Sequence, residues 1–214
     1  MSELRITEIF HSLQGEARTV GLPTVFVRLT GCPLRCGYCD TEYAFSGGTV
    51  RAIEDIVDEV AGFRARYVCV TGGEPLAQKN CLPLLVELCN RGWEVSLETS
   101  GALDVSLVDP RVVKVMDLKT PGSGEVHRNL YENINHLAKT DQVKFVVCDR
   151  QDYEWTRFKI DEYCLADRVG EVLLSPGHGQ LAPRDLAQWI LDDRLPVRMQ
   201  LQLHKIIWGE ERAR

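Results

Sequence analysis

The sequence predicts an α/β fold in which a parallel sheet curls into an incomplete β/α barrel. Two observations lead there. Apolar, β-branched runs alternate with amphipathic stretches of helical period along nearly the whole chain. Polar or glycine-rich segments then punctuate four successive strand ends: Thr71-Gly72-Gly73-Glu74-Pro75, Glu98-Thr99-Ser100-Gly101, Asp117-Leu118-Lys119 and Gln202-Leu203-His204-Lys205. Strands separated by helices imply right-handed crossovers and parallel neighbours, and such folds gather their active sites at the carboxyl ends of the strands.

The elements follow in order. Residues 25–29, Val-Phe-Val-Arg-Leu, form the first clear strand. Ile53, Ile56, Val57 and Val60 recur at three- and four-residue intervals and mark a helix. Residues 66–71 make the next strand, stopped by Gly72-Gly73, and residues 82–90 a second helix, with Gly92 at its expected C-cap. Further strands are predicted at 95–98, 112–118, 143–147 and 172–174, helices at 130–137, 155–165 and 184–191, and a last strand at 197–203. No internal repeat or linker interrupts the series, so residues 1–214 are expected to form a single domain with its own core.

Composition narrows the function classes. Hydrophobic residues make up 44% and charged residues 26%, as in an ordinary globular protein. The net charge is −6 and no basic stripe is visible, so direct nucleic-acid binding is not expected. Met1-Ser2-Glu3-Leu4-Arg5 lacks the apolar stretch of a signal peptide, and no apolar run approaches the roughly 20 residues of a membrane helix. A cytoplasmic protein without a membrane partner is the expectation, and a symmetric homodimer is the default assembly.

Eight cysteines without an export signal read as metal ligands or reduced core thiols. Their spacing separates the two groups. Cys69, Cys81, Cys89, Cys148 and Cys164 are scattered and read as core thiols, whereas Cys32, Cys36 and Cys39 share the segment Gly31-Cys32-Pro33-Leu34-Arg35-Cys36-Gly37-Tyr38-Cys39-Asp40. This loop follows the first strand and so hangs over the carboxyl edge of the sheet. A cubane cluster takes four ligands, so three thiolates leave one iron open to a further ligand. The competing reading is a structural zinc site, in a noncatalytic iron–sulfur or zinc interaction module. Zinc more commonly uses paired CxxC units, and no second pair exists.

The CxxxCxxC triplet with aromatic Tyr38 before its last cysteine, together with Gly72-Gly73-Glu74-Pro75, resembles the radical S-adenosylmethionine superfamily. The stretches Glu8-Ile9-Phe10-His11-Ser12-Leu13-Gln14-Gly15-Glu16 and residues 25–32, with Cys39-Asp40-Thr41, Glu98-Thr99-Ser100-Gly101 and His204-Lys205, resemble one family within it, the 7-carboxy-7-deazaguanine synthases. That resemblance implies a lyase of queuosine biosynthesis. It would use a [4Fe–4S] cluster, S-adenosylmethionine and Mg²⁺ to convert 6-carboxy-5,6,7,8-tetrahydropterin to 7-carboxy-7-deazaguanine with loss of ammonia. An electron donor such as a flavodoxin would reduce the cluster. The rival within the superfamily is a glycyl-radical activating enzyme, which shares both motifs but acts on a protein backbone.

Residue roles carry over from the same resemblance. Cys32, Cys36 and Cys39 hold the cluster. Tyr38, Cys39, Asp40, Gly73 and Lys119 fall where the family contacts S-adenosylmethionine. Leu13, Gln14, Gly15, Arg28 and Thr71 fall where it contacts the pterin, and the planar fork of Arg28 suits a carboxylate. Glu98 and His204, with Glu16 beside them, are further substrate partners, Thr41 is the Mg²⁺ ligand, and no side chain is singled out as the catalytic residue. This chain departs from the common family pattern at Ala17, at Asp117-Leu118, at Leu203, and in running on past Lys205 to Arg214.

Overall fold

The computed structural model describes residues 2–209 and 211–213. Nine strands form one sheet: β1 Glu3–Leu13, β2 Pro23–Leu29, β3 Thr49–Ala52, β4 Tyr67–Gly72, β5 Glu94–Thr99, β6 Val113–Asp117, β7 Gln142–Val147, β8 Glu171–Pro176 and β9 Arg198–Met199. Their order is β3-β1-β2-β4-β5-β6-β7-β8-β9, and the two end strands do not meet. From β2 through β9 every pairing is parallel; most crossovers carry an α-helix, whereas β5 to β6 is irregular and β6 to β7 holds only 3-10 turns. Among the described residues six α-helices complete the fold: α1 Ile53–Gly62, α2 Cys81–Asn90, α3 Arg150–Glu162, α4 Leu165–Arg168, α5 Pro183–Asp192 and α6 Leu203–Trp208.

The helices form where the apolar spacing indicates. α1 buries Ile53, Ile56, Val57 and Val60 and carries Glu54 and Asp55 in its first turn, where the helix dipole favours acids. α2 buries Cys81, Leu84, Leu85 and Leu88, and Gly92 just beyond it has a φ of 91°, which glycine adopts at little cost. α3 begins earlier than expected because Asp149 caps it, accepting from the Asp152 backbone N–H at 2.8 Å.

Side chains alternate across the sheet. Val68 and Val70 of β4 enter a core shared with α1 and α2, whereas Cys69 between them joins Phe10 and Phe26 on the opposite face. Met116, Val172 and Leu174 enter a second core, with buried residues of α3 to α5, whereas Val115 and Leu173 face the other way and pack on Ala17. The face opposite these two cores is therefore filled partly by the loop that follows β1.

That loop is a folded plug. Gln14, Glu16 and Ala17 are all buried, Ala17 at a φ of 63°. The Ala17 N–H donates to Gln200 Oε1 at 2.9 Å and the Arg18 N–H to Gln142 Oε1 at 2.7 Å, so the loop is tied to β7 and to the chain after β9.

The sequence reading needs correction in four places. Antiparallel β1 and β3 extend the sheet beyond the first expected strand. Residues 131–136 form a 3-10 turn instead of an α-helix. The expected last strand shrinks to Arg198–Met199, and His204 and Lys205 stand in α6 instead of at a strand end. Of the scattered cysteines, Cys69 and Cys81 are buried, but Cys164 is exposed at a φ of 49° just before α4.

Candidate active site

The carboxyl ends of the strands open into a cavity of about 510 Å³. All the residues singled out from the sequence line it: the three loop cysteines, the pterin group, the S-adenosylmethionine group, Thr41, Glu16, Glu98 and His204.

On one side stands the cysteine loop. Its backbone is interlocked with the glycine turn after β4: the Gly73 N–H donates to Leu29 O at 3.2 Å and the Glu74 N–H to Gly31 O at 2.8 Å. A Cβ on Gly73 would stand 2.3 Å from Gly31 O and 2.7 Å from Cys32 Cβ. Glycine is thus required by the approach of the cysteine loop itself. Glu74 anchors the turn from beneath. Fully buried, it accepts from Thr99 Oγ1 at 3.0 Å, from the Ser100 backbone N–H at 2.6 Å and from the Leu76 N–H at 3.0 Å.

Beside this loop, Lys119 Nζ lies 2.8 Å from Asp117 Oδ2 and 5.8 Å from the centre of the Tyr38 ring. Burial works against the Lys119 charge, but Asp117 and Cys36 outweigh it and hold the ammonium above its ordinary range. Burial likewise pushes the Cys36 thiol up to about 11. Tyr38 Oη and Asp117 Oδ1 are buried without a hydrogen-bond partner. Among the described residues no three Cys, His, Asp or Glu side chains close on a single metal-ion position. Three cysteine thiols on one short loop, all on the cavity wall, suit an iron–sulfur group whose ligands are cysteine thiolates. The unpartnered polar atoms beside Lys119 suit a polar, charged cofactor. The residues present therefore fit the cluster and S-adenosylmethionine.

The opposite side is built by β1, β2, β4 and β5. Glu98 Oε2 accepts from Thr71 Oγ1 at 3.2 Å and Glu98 Oε1 from Gln14 Nε2 at 3.5 Å. Arg28 is ion-paired with Glu8. His204 lies over the Gln14–Gly15 turn, where a Cβ on Gly15 would meet its Nδ1 at 2.1 Å, and the Leu203 N–H donates to Gly15 O at 3.0 Å.

A charged chain crosses the floor between the two sides. Lys144 Nζ pairs with Glu16 and stands 3.9 Å from Asp117, and Gln202 Nε2 donates to Glu16 Oε1 at 2.9 Å and to Asp40 Oδ2 at 3.3 Å. Burial opposes the Lys144 charge, yet Glu16, Asp117 and Glu98 raise its pKa well above the usual lysine range. Burial opposes the Asp40 charge too, but Lys205 and Lys144 bring its carboxyl below the usual value. Sequence reasoning gave no role to Lys144, Tyr43 or Ser175, all of which line the cavity. A lysine inside the apolar run Val143-Lys144-Phe145-Val146 was the available signal for the first. The segment after Lys205 also returns to the cavity, with the Arg212 guanidinium 4.4 Å from the centre of the Tyr43 ring.

A three-thiol loop at the carboxyl edge of an open parallel sheet, locked to a glycine turn on the neighbouring strand, defines a class, the radical S-adenosylmethionine enzymes, and the radical SAM superfamily pattern matches residues 26–117. Two relatives narrow it. The 7-carboxy-7-deazaguanine synthase of Chlorobaculum tepidum is 46% identical over 97% of this chain and 96% of its own, and that of Koribacter versatilis 41% identical over 97% and 98%. The chain therefore belongs to the 7-carboxy-7-deazaguanine synthase family. The crystal structure of QueE from Escherichia coli, 24% identical, superposes with a TM-score of 0.75 over 95% of this chain and 96% of that one, which shows the shared fold.

Proposed function

We propose that this enzyme contracts 6-carboxy-5,6,7,8-tetrahydropterin to 7-carboxy-7-deazaguanine with loss of ammonia, in the biosynthesis of the queuosine precursor. The observation that carries this reading is one cavity with the cysteine loop on one side and the Arg28, Gln14, Thr71 and Glu98 wall on the other. The name shared by relatives that match nearly the full chain supplies the reaction. When bound, the cluster and S-adenosylmethionine supply the one-electron chemistry that starts the reaction on a small-molecule substrate.

The chain's own residues bind, orient and exclude water. Cys32, Cys36 and Cys39 hold the cluster, and Tyr38, Cys39, Asp40, Gly73 and Lys119 hold S-adenosylmethionine. Lys119, kept charged by Asp117, offers a cation to the cofactor's carboxylate. Leu13, Gln14, Gly15, Arg28 and Thr71 hold the pterin, with Arg28 on its carboxylate and Gln14 and Glu98 on its polar ring edge. His204 packs against this turn as a further partner. Glu16, engaged by Lys144 and Gln202, reads better as support for the turn than as a ligand.

Mg²⁺ at Thr41 belongs to the same reading. The threonine precedes the 3-10 turn Glu42–Phe45 yet makes no capping hydrogen bond, and its Oγ1 lies 3.8 Å from Cys39 Sγ on the cavity wall. A hard cation there would take its remaining oxygens from water and the substrate carboxylate. A flavodoxin-type electron donor, a homodimer, a cytoplasmic location and a single domain complete the proposal. The continuous sheet supports the last, and no described helix is long and apolar enough to cross a membrane.

Anaerobic incubation with S-adenosylmethionine and the carboxylated tetrahydropterin, read by absorbance and mass, tests the reaction. Arg28→Ala should lose about 2–5 kcal/mol of substrate binding, because a carboxylate is left without its charged partner. Cleavage of S-adenosylmethionine without substrate should persist in that variant. Normal pterin turnover by Arg28→Ala would show that the substrate is misplaced.

A further inference from the structure

The two strands that carry the substrate wall are joined out of simple register. Ile6 of β1 stands opposite Leu29 of β2, but the next opposed pair is Glu8 and Arg28, so Thr7 is an extra residue, a β-bulge. The bulge inverts the parity of β1. Leu4 and Ile6 point into the helix-side core, whereas beyond the bulge Ile9 packs on that core and Phe10 turns to the cavity side, stacked on Phe26 at 4.9 Å. Glu8 thereby becomes the direct cross-strand neighbour of Arg28.

We infer that Glu8 is a positioning residue that holds Arg28 in its substrate-binding orientation. Arg28 Nε donates to Glu8 Oε1 at 2.7 Å, and Tyr43 Oη donates to the same oxygen at 2.8 Å. The guanidinium carbon lies 5.8 Å from the centre of the Phe10 ring and 5.9 Å from that of Tyr43. One hydrogen bond along its edge and two aromatic neighbours thus fix the plane of the fork. Only Nε is spent. The two terminal amino groups donate to no other described residue and remain available to a carboxylate in the cavity that Arg28 lines. Glu8 does not itself line that cavity, so it acts through Arg28. The pair has no net charge, and recognition of the substrate carboxylate rests on fork geometry more than on an open positive field.

The inference rests on the reading in which Arg28 receives the pterin carboxylate, and the experiment separates the two. Steady-state kinetics with 6-carboxytetrahydropterin are measured for Glu8→Ala, Glu8→Gln, Arg28→Ala and the double variant Glu8→Ala/Arg28→Ala, with iron content and substrate-free cleavage of S-adenosylmethionine as controls. Glu8→Ala should raise KM about tenfold, about 1.4 kcal/mol, with kcat changed by less than about threefold. Glu8→Gln, which keeps an acceptor oxygen, should recover part of that loss, and iron and substrate-free cleavage should match wild type for both. In the Arg28→Ala background Glu8→Ala should change KM by less than about twofold, because the group it acts through is gone. Tyr43→Phe provides a second probe if Glu8→Ala does not fold, and should shift KM in the same direction by a smaller factor. An unchanged KM for Glu8→Ala, or the same fold-change with and without Arg28, overturns the positioning role and leaves the Arg28 reading standing. A normal KM for Arg28→Ala removes the Arg28 reading and the Glu8 role together.

Discussion

At the scale of single residues, the site is a set of side chains whose obvious partners are already taken, with a few polar atoms left over. Glu74 meets its donors and is finished, whereas Tyr38 Oη and Asp117 Oδ1 are not. Thr41 stands between these cases: among the described residues its hydroxyl meets Cys39 Sγ alone, at 3.8 Å, and caps nothing. Thr41→Ala should therefore change stability by less than about 0.5 kcal/mol in urea denaturation, far from the roughly 1 kcal/mol of a lost cap. Activity should rise with added Mg²⁺ in the wild type and respond weakly in the variant, at unchanged iron content. A chelator-treated wild type running at full speed would end the metal role. Much at this scale was legible, because spacing alone separated Cys32, Cys36 and Cys39 from buried Cys69 and Cys81. What was not legible is pairing: nothing local to Arg28 announces Glu8, which arrives from another strand.

Among the secondary-structure elements, strand–loop–helix units repeat clearly enough that α1, α2, β4, β5, β7, β8 and α5 lie close to their expected positions. β1 escaped because the bulge at Thr7 breaks its alternation, so neither half carries a long period-two signal. The expected strand 197–203 ends at Met199, and Leu203 is drawn instead into α6, where its N–H bonds back to Gly15 O. The two glycines of the site make opposite demands, and their alanine variants should diverge. Gly73→Ala drives a methyl into the Gly31 carbonyl and Cys32, both on the cysteine loop, and should lower iron per chain much as Cys36→Ala does. The nearest atoms that Gly15→Ala meets belong to the His204 side chain, which can swing away. It should keep its iron, a cubane's four, and raise KM for the pterin. Equal iron loss in both variants would contradict this division of the cavity.

Considered whole, the molecule has one sheet but two helix-side cores. One gathers buried residues of β1, β2, β4 and β5 with α1 and α2, the other those of β6, β7 and β8 with α3 to α5. The cavity straddles their seam, with Cys32 and Gly73 on the first side and Lys119 and Lys144 on the second. Native-state hydrogen exchange should accordingly resolve two groups of slowly exchanging core amides with different opening free energies. A single uniform class would show that the sheet couples them completely. The parallel order and the open barrel were readable from the alternation of elements. The seam was not, since it depends on which face of β6 each residue takes.

An open barrel also has two rims that a closed one lacks, and each rim is a row of unpaired backbone donors and acceptors. Here the end strands are short, four residues in β3 and two in β9, and β3 covers only Glu3–Ile6 of the eleven-residue β1. A neighbouring chain seeking to extend the sheet finds four residues of ladder on β3 and two on β9, whereas β1 beyond Ile6 pairs on its outer side with no described strand. Short end strands of this kind limit edge-to-edge association at β3 and β9, and the outer edge of β1 is the stretch where a foreign strand would find its longest purchase.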